Sequence, residues 1–482
     1  MTPRRIAALL LAATLVAGCG ADEPAADAAP LPDRLAARVT VDGMWRHLQA
    51  LQDIADAHGG NRAEGRPGYD ASVDYAAKTL RDNGFDVSTP EFSHIVVAER
   101  GRQTLTVAGR DFPVEQAALL VTTPPEGLRG RVVRPRRPAG CTADDYRGVA
   151  VRGALAVVDD RDCPAAEKHR AAADSGATGL LIVGGAPAPA DLFGPHYYDA
   201  LTLPVAVIRP DADAALRRTD GEVVLRTESR TERTTSRNVL ARTVTGATDN
   251  MVVFGAHLDS VVRGPGINDN GTGVAAVLET AAALGASPGT ANAVQFALWG
   301  GEEAGLYGST AYVDGLGAQR VADIAVYLNA DMLGSPNPGY FTYDGDQSGE
   351  PSPTVALGDV PAGSAGVERT LAGYLNLAGK RPADQPFGVS SDYSPFLRAG
   401  VAVGGVTTGN AQRKTTVQQR LWGGEHGVAF DPNYHSARDT IDNVDRDALA
   451  VMASALAFAV GTYAESTDGV NGVPPRGERS RP

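Results

Sequence analysis

The sequence predicts an α/β fold: a mixed central sheet flanked by helices, interrupted by an inserted, mainly β module. Three observations carry this. From Ser236 onward, short apolar runs alternate with helix-length stretches, the pattern of a sheet covered by helices. Between about 98 and 232, brief β-like runs are punctuated by Gly and Pro, with a single clear helix. Ahead of that module stand two helical segments ending in a strand, a lead-in (35–97) to the α/β unit. At 482 residues the chain is too long for one small core, and two domains are the prior.

Taken in order, the chain opens on a targeting segment. Arg4 and Arg5 precede an apolar run from Ile6 to Ala17 that is too short to span a membrane as a mature helix. It ends in Leu15-Val16-Ala17-Gly18-Cys19, which resembles the bacterial lipobox. That resemblance implies a lipidated Cys19 at the new N-terminus, a signal segment over 1–19, and anchoring to the outer face of the cell membrane. Residues 20–34 read as a polar tether rich in Ala, Pro and Asp. Met44, Leu48, Leu51 and Ile54 then fall at helical spacing, with Asp42 as N-cap and Gly59-Gly60 as the stop. Tyr69, Val73, Ala76 and Leu80 mark a second helix closed by Asn83-Gly84, and a strand starts at Phe85. In the module (98–232), strands are expected at 103–107, 118–122, 130–133, 154–158, 179–183, 205–208 and 223–226, and a helix at 165–173. The following unit (233–466) should carry strands at 239–241, 251–256, 294–299 and 324–329 and helices at 271–284, 303–314, 365–378 and 446–463. Residues 467–482 are polar and read as a disordered tail.

A net charge of −13 argues against nucleic acid as a partner. The basic stretch Arg129, Arg131, Arg134, Arg136, Arg137 is short and interrupted, and reads as a solvated face. With Cys19 set aside, Cys141 and Cys163 are the remaining thiols, and export to oxidising surroundings predicts a disulfide between them.

Chemistry concentrates at five metal-capable side chains: His257, Asp269, Glu303, Asp331 and His435. Ligands of open α/β sheets gather outside the carboxyl ends of strands. His257 directly follows the run 251–256, Glu302 and Glu303 follow 294–299, and Asp331 follows 324–329, so three strands deliver these groups to one edge. Asp269 sits in a Gly-rich loop before the helix at 271. Two imidazoles and three carboxylates can hold a pair of zinc ions with one carboxylate bridging. Glu302, adjacent to a ligand but not needed as one, stands where a general base would. Asp259 is placed to accept the non-ligating N–H of His257 and fix its tautomer. Singly these motifs are weak: His257 could be a satisfied strand-end histidine, and Glu302-Glu303 an ordinary helix start. His426 reads as a loop histidine. No G-x-S-x-G turn is present, and neither remaining cysteine has a nucleophilic setting.

The strings H-L-D-S-V, G-P-G-I-N-D-N-G-T-G, G-G-E-E-A-G-L-Y-G-S, N-A-D-M-L-G and Y-H-S-A-R-D-T-I-D-N, in that order, make 236–465 similar to the di-zinc aminopeptidase family of exported bacterial leucyl aminopeptidases. Their zinc exopeptidase fold is shared by glutamate carboxypeptidases. The stretch from Val151 to Val183 resembles the protease-associated domain, which covers most of 115–230. The resemblance implies one zinc on His257 and Asp331, a second on Glu303 and His435, and Asp269 bridging. It gives Glu302 the role of base toward water and proton donor to the leaving amine, and Tyr434 that of oxyanion donor. Ser391-Asp392-Tyr393 matches a block beside the substrate pocket. Related enzymes often have cysteines flanking the Tyr-His pair, where this chain has Asn433 and Arg438, which puts the rigidity of that loop in question. The expectation is a monomeric, lipid-anchored zinc aminopeptidase acting on peptides. Rivals are a carboxypeptidase or dipeptidase on the same scaffold, a catalytically inactive receptor-like protein, and a one-zinc glutaminyl cyclase.

Overall fold

The computed structural model describes residues 29–99, 101–184, 192–193 and 197–479; Cys19 and the signal segment lie outside them. Two compact units result, one formed by the segments up to Phe92 and from Ser236 onward, the other by Ser93–Thr235.

The first unit is built on an eight-stranded sheet. Its order is Asp86–Ser88, Val239–Arg242, Asn292–Trp299, Ala247–His257, Ile324–Ala330, Ala402–Thr407, Phe341–Tyr343 and Ala383–Gln385. The four central strands are parallel. Val239–Arg242 and Phe341–Tyr343 run antiparallel to their inner neighbours, so the sheet is mixed. Parallel strands need both faces covered, and side chains alternating along each strand supply two apolar faces. Val252, Phe254, Val294, Phe296, Val326 and Leu328 pack into one layer, closed by helices Val41–Ala57, Pro67–Asp82, Thr272–Leu284 and Arg446–Glu465. Met251, Val253, Trp299 and Tyr327 pack into the other, where the Phe396 ring stacks on Tyr327 with centroids 4.0 Å apart. Helix Arg446–Glu465 is long and apolar enough to cross a membrane, yet it is mostly buried in the first layer and is a core helix.

Four local expectations need correction. Residues 31–34, expected in the tether, open helix Leu31–Arg38, where Leu35 and Ala36 are buried. Helix Val41–Ala57 is capped by Thr40, whose hydroxyl accepts the Gly43 N–H; Asp42 lies inside the first turn, where its charge suits the helix dipole. Residues 118–122 form an irregular segment rather than a strand, because a short apolar run does not by itself distinguish a strand from a buried turn. The tail is ordered from Thr467 through Arg479. Val473 joins the core, the Asn471 carbonyl accepts the Tyr463 hydroxyl, and the Arg479 guanidinium donates to Asn250, Ala322 and Pro474. A composition reading counted those charges as solvated, whereas the guanidinium fork is satisfied by protein acceptors.

The second unit holds its own eight-stranded sheet, with helix Ala165–Asp174 on one face and Pro210–Leu216 on the other. Cys141 and Cys163, 22 residues apart, form a disulfide there.

Candidate metal centre and active site

The central parallel strands end on one edge, and the groups singled out above lie there. His257 is the last residue of Ala247–His257, and Asp331 follows Ile324–Ala330 directly. Glu302 and Glu303 open the helical turn Glu302–Gly305, reached from Trp299 through two glycines. Those glycines are required: Gly301 has φ of +68°, and a Cβ on Gly300 would stand 2.1 Å from the Tyr69 hydroxyl. Three non-glycine residues with left-handed backbone flank or coincide with ligand positions: Leu306 at φ 60°, Met332 at 55° and His435 at 54°. Such conformations are uncommon and gather at functional sites.

Asp269 is the centre of the arrangement. Its Oδ1 lies 3.3 Å from His257 Nε2, and its Oδ2 lies 3.1 Å from His435 Nε2. Each imidazole nitrogen has a further acid: Asp331 Oδ1 is 3.6 Å from His257 Nε2, and Glu303 Oε2 is 3.0 Å from His435 Nε2. Glu302 also converges with His257 and Asp331 at metal-binding spacing. Burial alone would raise the Asp269 carboxyl, but the two histidines hold it at about 2. Burial likewise lowers His435, and its bonds to Asp269 and Glu303 overcome this and lift it to about 10. Glu302 is driven well above its ordinary value by burial, against the pull of His257 and with Asp392, Asp331 and Glu303 adding to the rise. Burial and Asp269 push Glu303 up to about 7.

These residues fit zinc. Imidazole nitrogens and carboxylate oxygens are its ordinary donors. Crowded, buried carboxylates are what divalent cations neutralise. Glu303 Oε1 is buried without a hydrogen-bond partner, as a ligand oxygen would be.

The surroundings correct one expectation and add several residues. The hydrogen bond from His257 Nδ1 goes to the backbone carbonyl of Asp259 at 3.1 Å, while the carboxylate lies 3.9 Å away. That carboxylate instead accepts the N–H groups of Glu302 and Glu303 at 3.2 and 3.3 Å, the free donors of a helical turn. Asp259 therefore orients His257 through its main chain and the Glu302-Glu303 turn through its side chain. Ser391 donates to Asp331 Oδ2 at 2.7 Å and is itself held by Asn329. Asp439 accepts the N–H of Asp269 at 3.0 Å. Arg62, fully buried, donates to the carbonyls of Leu258, Pro265 and Gly266 along the loop between His257 and Asp269. Ser391 and Asp439 lie inside blocks read from the sequence, although their bonds to ligands could not be read there. Arg62 carried no signal, because its partners stand some 200 positions away.

A cavity of about 1110 Å³ opens over the site, lined by His257, Asp269, Glu302, Glu303, Asp331, Tyr434 and His435 together with Phe341, Tyr343, Phe387 and Tyr393. Tyr434 stacks on the His435 ring with centroids 3.8 Å apart. Asp392 is buried, bonded to Ser309 and away from the cavity lining. His426 is exposed on a loop and is not part of the cluster.

Ligand-type side chains converging at the carboxyl edge of a helix-covered α/β sheet define a metal-dependent hydrolase. Comparison with known proteins makes this specific. Residues 238–460 match peptidase family M28, and residues 128–216 match the PA domain. The chain is 45% identical over 495 residues to the probable lipoprotein aminopeptidase LpqL of Mycobacterium tuberculosis, covering 100% of this chain and 98% of that one. It is 37% identical over 442 residues to an aminopeptidase of Pseudomonas aeruginosa, covering 88% of this chain and 80% of that one. An aminopeptidase from Aneurinibacillus sp. strain AM-1 shares the fold, with a TM-score of 0.55 at 22% identity over 92% of this chain and 98% of the other. The chain belongs to peptidase family M28, with a PA domain inserted, and is a zinc-dependent aminopeptidase.

Proposed function

We propose that this chain is a monomeric, lipid-anchored aminopeptidase of the cell surface that works with two zinc ions and Glu302 as general base. The observation that carries the reading is Asp269, whose two oxygens face different imidazoles, each with its own acid partner. His257 and Asp331 would hold one ion, Glu303 and His435 the other, with Asp269 shared. When bound, such ions act as Lewis acids toward water and the scissile carbonyl.

The remaining work falls to the chain's own groups. Glu302 takes a proton from the attacking water and delivers it to the departing amine nitrogen. Its main chain is fixed by the Asp259 carboxylate, so its carboxylate is carried on an anchored turn. Tyr434, flat against His435, offers its hydroxyl to the oxyanion. Selection of the substrate's amino end follows from charge. The titratable groups lining the cavity include Glu302, Asp331, Glu350 and Asp384, and among the described lining residues there is no Lys or Arg. A free α-ammonium is attracted into such a site, and a terminal carboxylate is repelled. Arg398 donates to Ser394 and lies outside that lining.

Anchoring rests on the lipobox-like segment ending at Cys19 and on the name of the mycobacterial relative, a probable lipoprotein. Two assays test the proposal. An amino-acid p-nitroanilide should be hydrolysed and its N-acylated counterpart left intact; the reverse result rejects the aminopeptidase reading. Palmitate labelling in the native host should vanish in Cys19→Ala, and unchanged labelling rejects the anchor.

A further inference from the structure

The loop that bears Tyr434 and His435 has no covalent tie at Asn433 or Arg438, yet it holds His435 at φ 54°. A buried polar cluster holds it. Asn268, Asp431, Asp439 and Asn443 are all at most 5% exposed, and Asn443 stands at their crossing. Its Nδ2 lies 3.1 and 3.0 Å from the two Asp431 oxygens and 3.2 Å from Asp439 Oδ1. Its Oδ1 accepts from Asn433 Nδ2 at 2.7 Å. From these two carboxylates the cluster reaches the other ligand loop. Asp439 accepts the N–H groups of Asn268 and Asp269 at 2.8 and 3.0 Å, and Asp431 accepts Asn268 Nδ2 at 2.7 Å.

Only a side-chain amide offers two donors and an acceptor in this arrangement. A carboxylate at 443 would place a third acid against two, and an aliphatic group would strip buried oxygens of a partner. The two loops also touch directly: a Cβ on Gly264 would stand 2.0 Å from the Ser436 carbonyl oxygen. The cluster thus acts across a close-packed seam.

We propose that Asn443 is a positioning residue, tying the loop of Tyr434 and His435 to the loop of Asp269 and so setting the oxyanion donor against the shared ligand. The inference rests on the roles proposed above for Tyr434 and His435. Asn443 contacts neither substrate nor ligand side chain, so its effect runs through geometry, where displacement of about 1 Å costs on the order of 100-fold in rate.

The test is a double-mutant cycle on the zinc-loaded full chain: wild type, Asn443→Ala, Tyr434→Phe and both together. Each is assayed for kcat and KM on an amino-acid p-nitroanilide, for zinc retention against a chelator, and for thermal unfolding. Asn443→Ala is expected to lower kcat about 10- to 100-fold with KM within about twofold. In the Tyr434→Phe background the same change should cost less than about threefold, because coupled residues are not additive. Zinc should be lost at about tenfold lower chelator concentration. Equal losses in both backgrounds with wild-type zinc retention would overturn the proposal. If Tyr434→Phe alone leaves kcat unchanged, the oxyanion reading fails, and zinc retention decides: unchanged retention in Asn443→Ala rejects the positioning role. Should the alanine variant not fold, Asn443→Ser, which keeps one donor, must show the same kcat-selective loss, and a wild-type kcat rejects the role.

Discussion

Arg62 offers the sharpest test of how the site is supported. Its guanidinium is fully buried and donates to Leu258, to Pro265 at 2.9 Å and to Gly266 at 2.7 Å, spanning the segment between His257 and Asp269. Burial lowers it to about 10, with Asp259, Asp439 and Asp269 opposing the drop, so it remains a cation at neutral pH. Arg62→Lys keeps the charge but not the planar fork. If the ammonium reaches one of the three carbonyls, two buried acceptors are stranded at about 1–3 kcal/mol each, for a total of roughly 2–6 kcal/mol. That is a large fraction of the roughly 5–15 kcal/mol that holds a domain folded. Arg62→Met removes the cation facing three buried acids as well, and should not accumulate as folded protein. Urea unfolding of the lysine variant, followed by a probe in the peptidase unit, measures the loss. A change below about 0.5 kcal/mol, the range of neutral surface substitutions, would show that the three carbonyls do not depend on the guanidinium.

Three further outcomes are expected. Glu302→Gln should reduce kcat by about 10²–10⁴ while zinc content stays at the wild-type level; loss of metal together with activity would make Glu302 a ligand rather than a base. Replacing both Cys141 and Cys163 with Ser should destabilise the inserted unit by about 3 kcal/mol, the loop-closure value for a 22-residue separation, as read by its unfolding midpoint. Glu368 is pushed by burial from 4.5 up to about 7, Asp346 and Asp384 adding to the rise against N–H bonds from Asp346 and Gly345. The folded state therefore binds its proton more tightly than the unfolded chain does. The resulting stability is fully present below pH 4.5 and is lost as the pH rises through 7. Glu368→Gln should flatten the pH dependence of unfolding in that window, and an unaltered slope would contradict the assignment.

Much of this was legible in the sequence because the chemistry sits where strand periodicity ends. The run 251–256 stops directly at His257 and the run 324–329 just before Asp331, and a strand end in a parallel sheet is a spatial statement as well as a local one. The convergence of His435 on Asp269 was not derivable from spacing and came through family resemblance. The short strands Phe341–Tyr343 and Ala383–Gln385, at one end of the sheet, were not foreseen, since three residues carry too little periodicity to register. Arg62 gave no signal because its three acceptors are carbonyls, which have no sequence signature. Asp259 was placed in the right neighbourhood but with its carboxylate in the wrong bond, a matter of 3.1 against 3.9 Å that a motif does not encode. The tail past Thr467 failed as an expectation because composition registers charge without registering the carbonyls and amides that receive it.

Sharing of Asp269 between two metal positions is read out by counting metal. Elemental analysis of the purified, zinc-equilibrated chain should find two zinc ions per molecule. His257→Ala and His435→Ala should each retain one, since each removes a different partner of Asp269. A wild-type chain that holds a single ion, or variants that each still hold two, would rule out a shared Asp269.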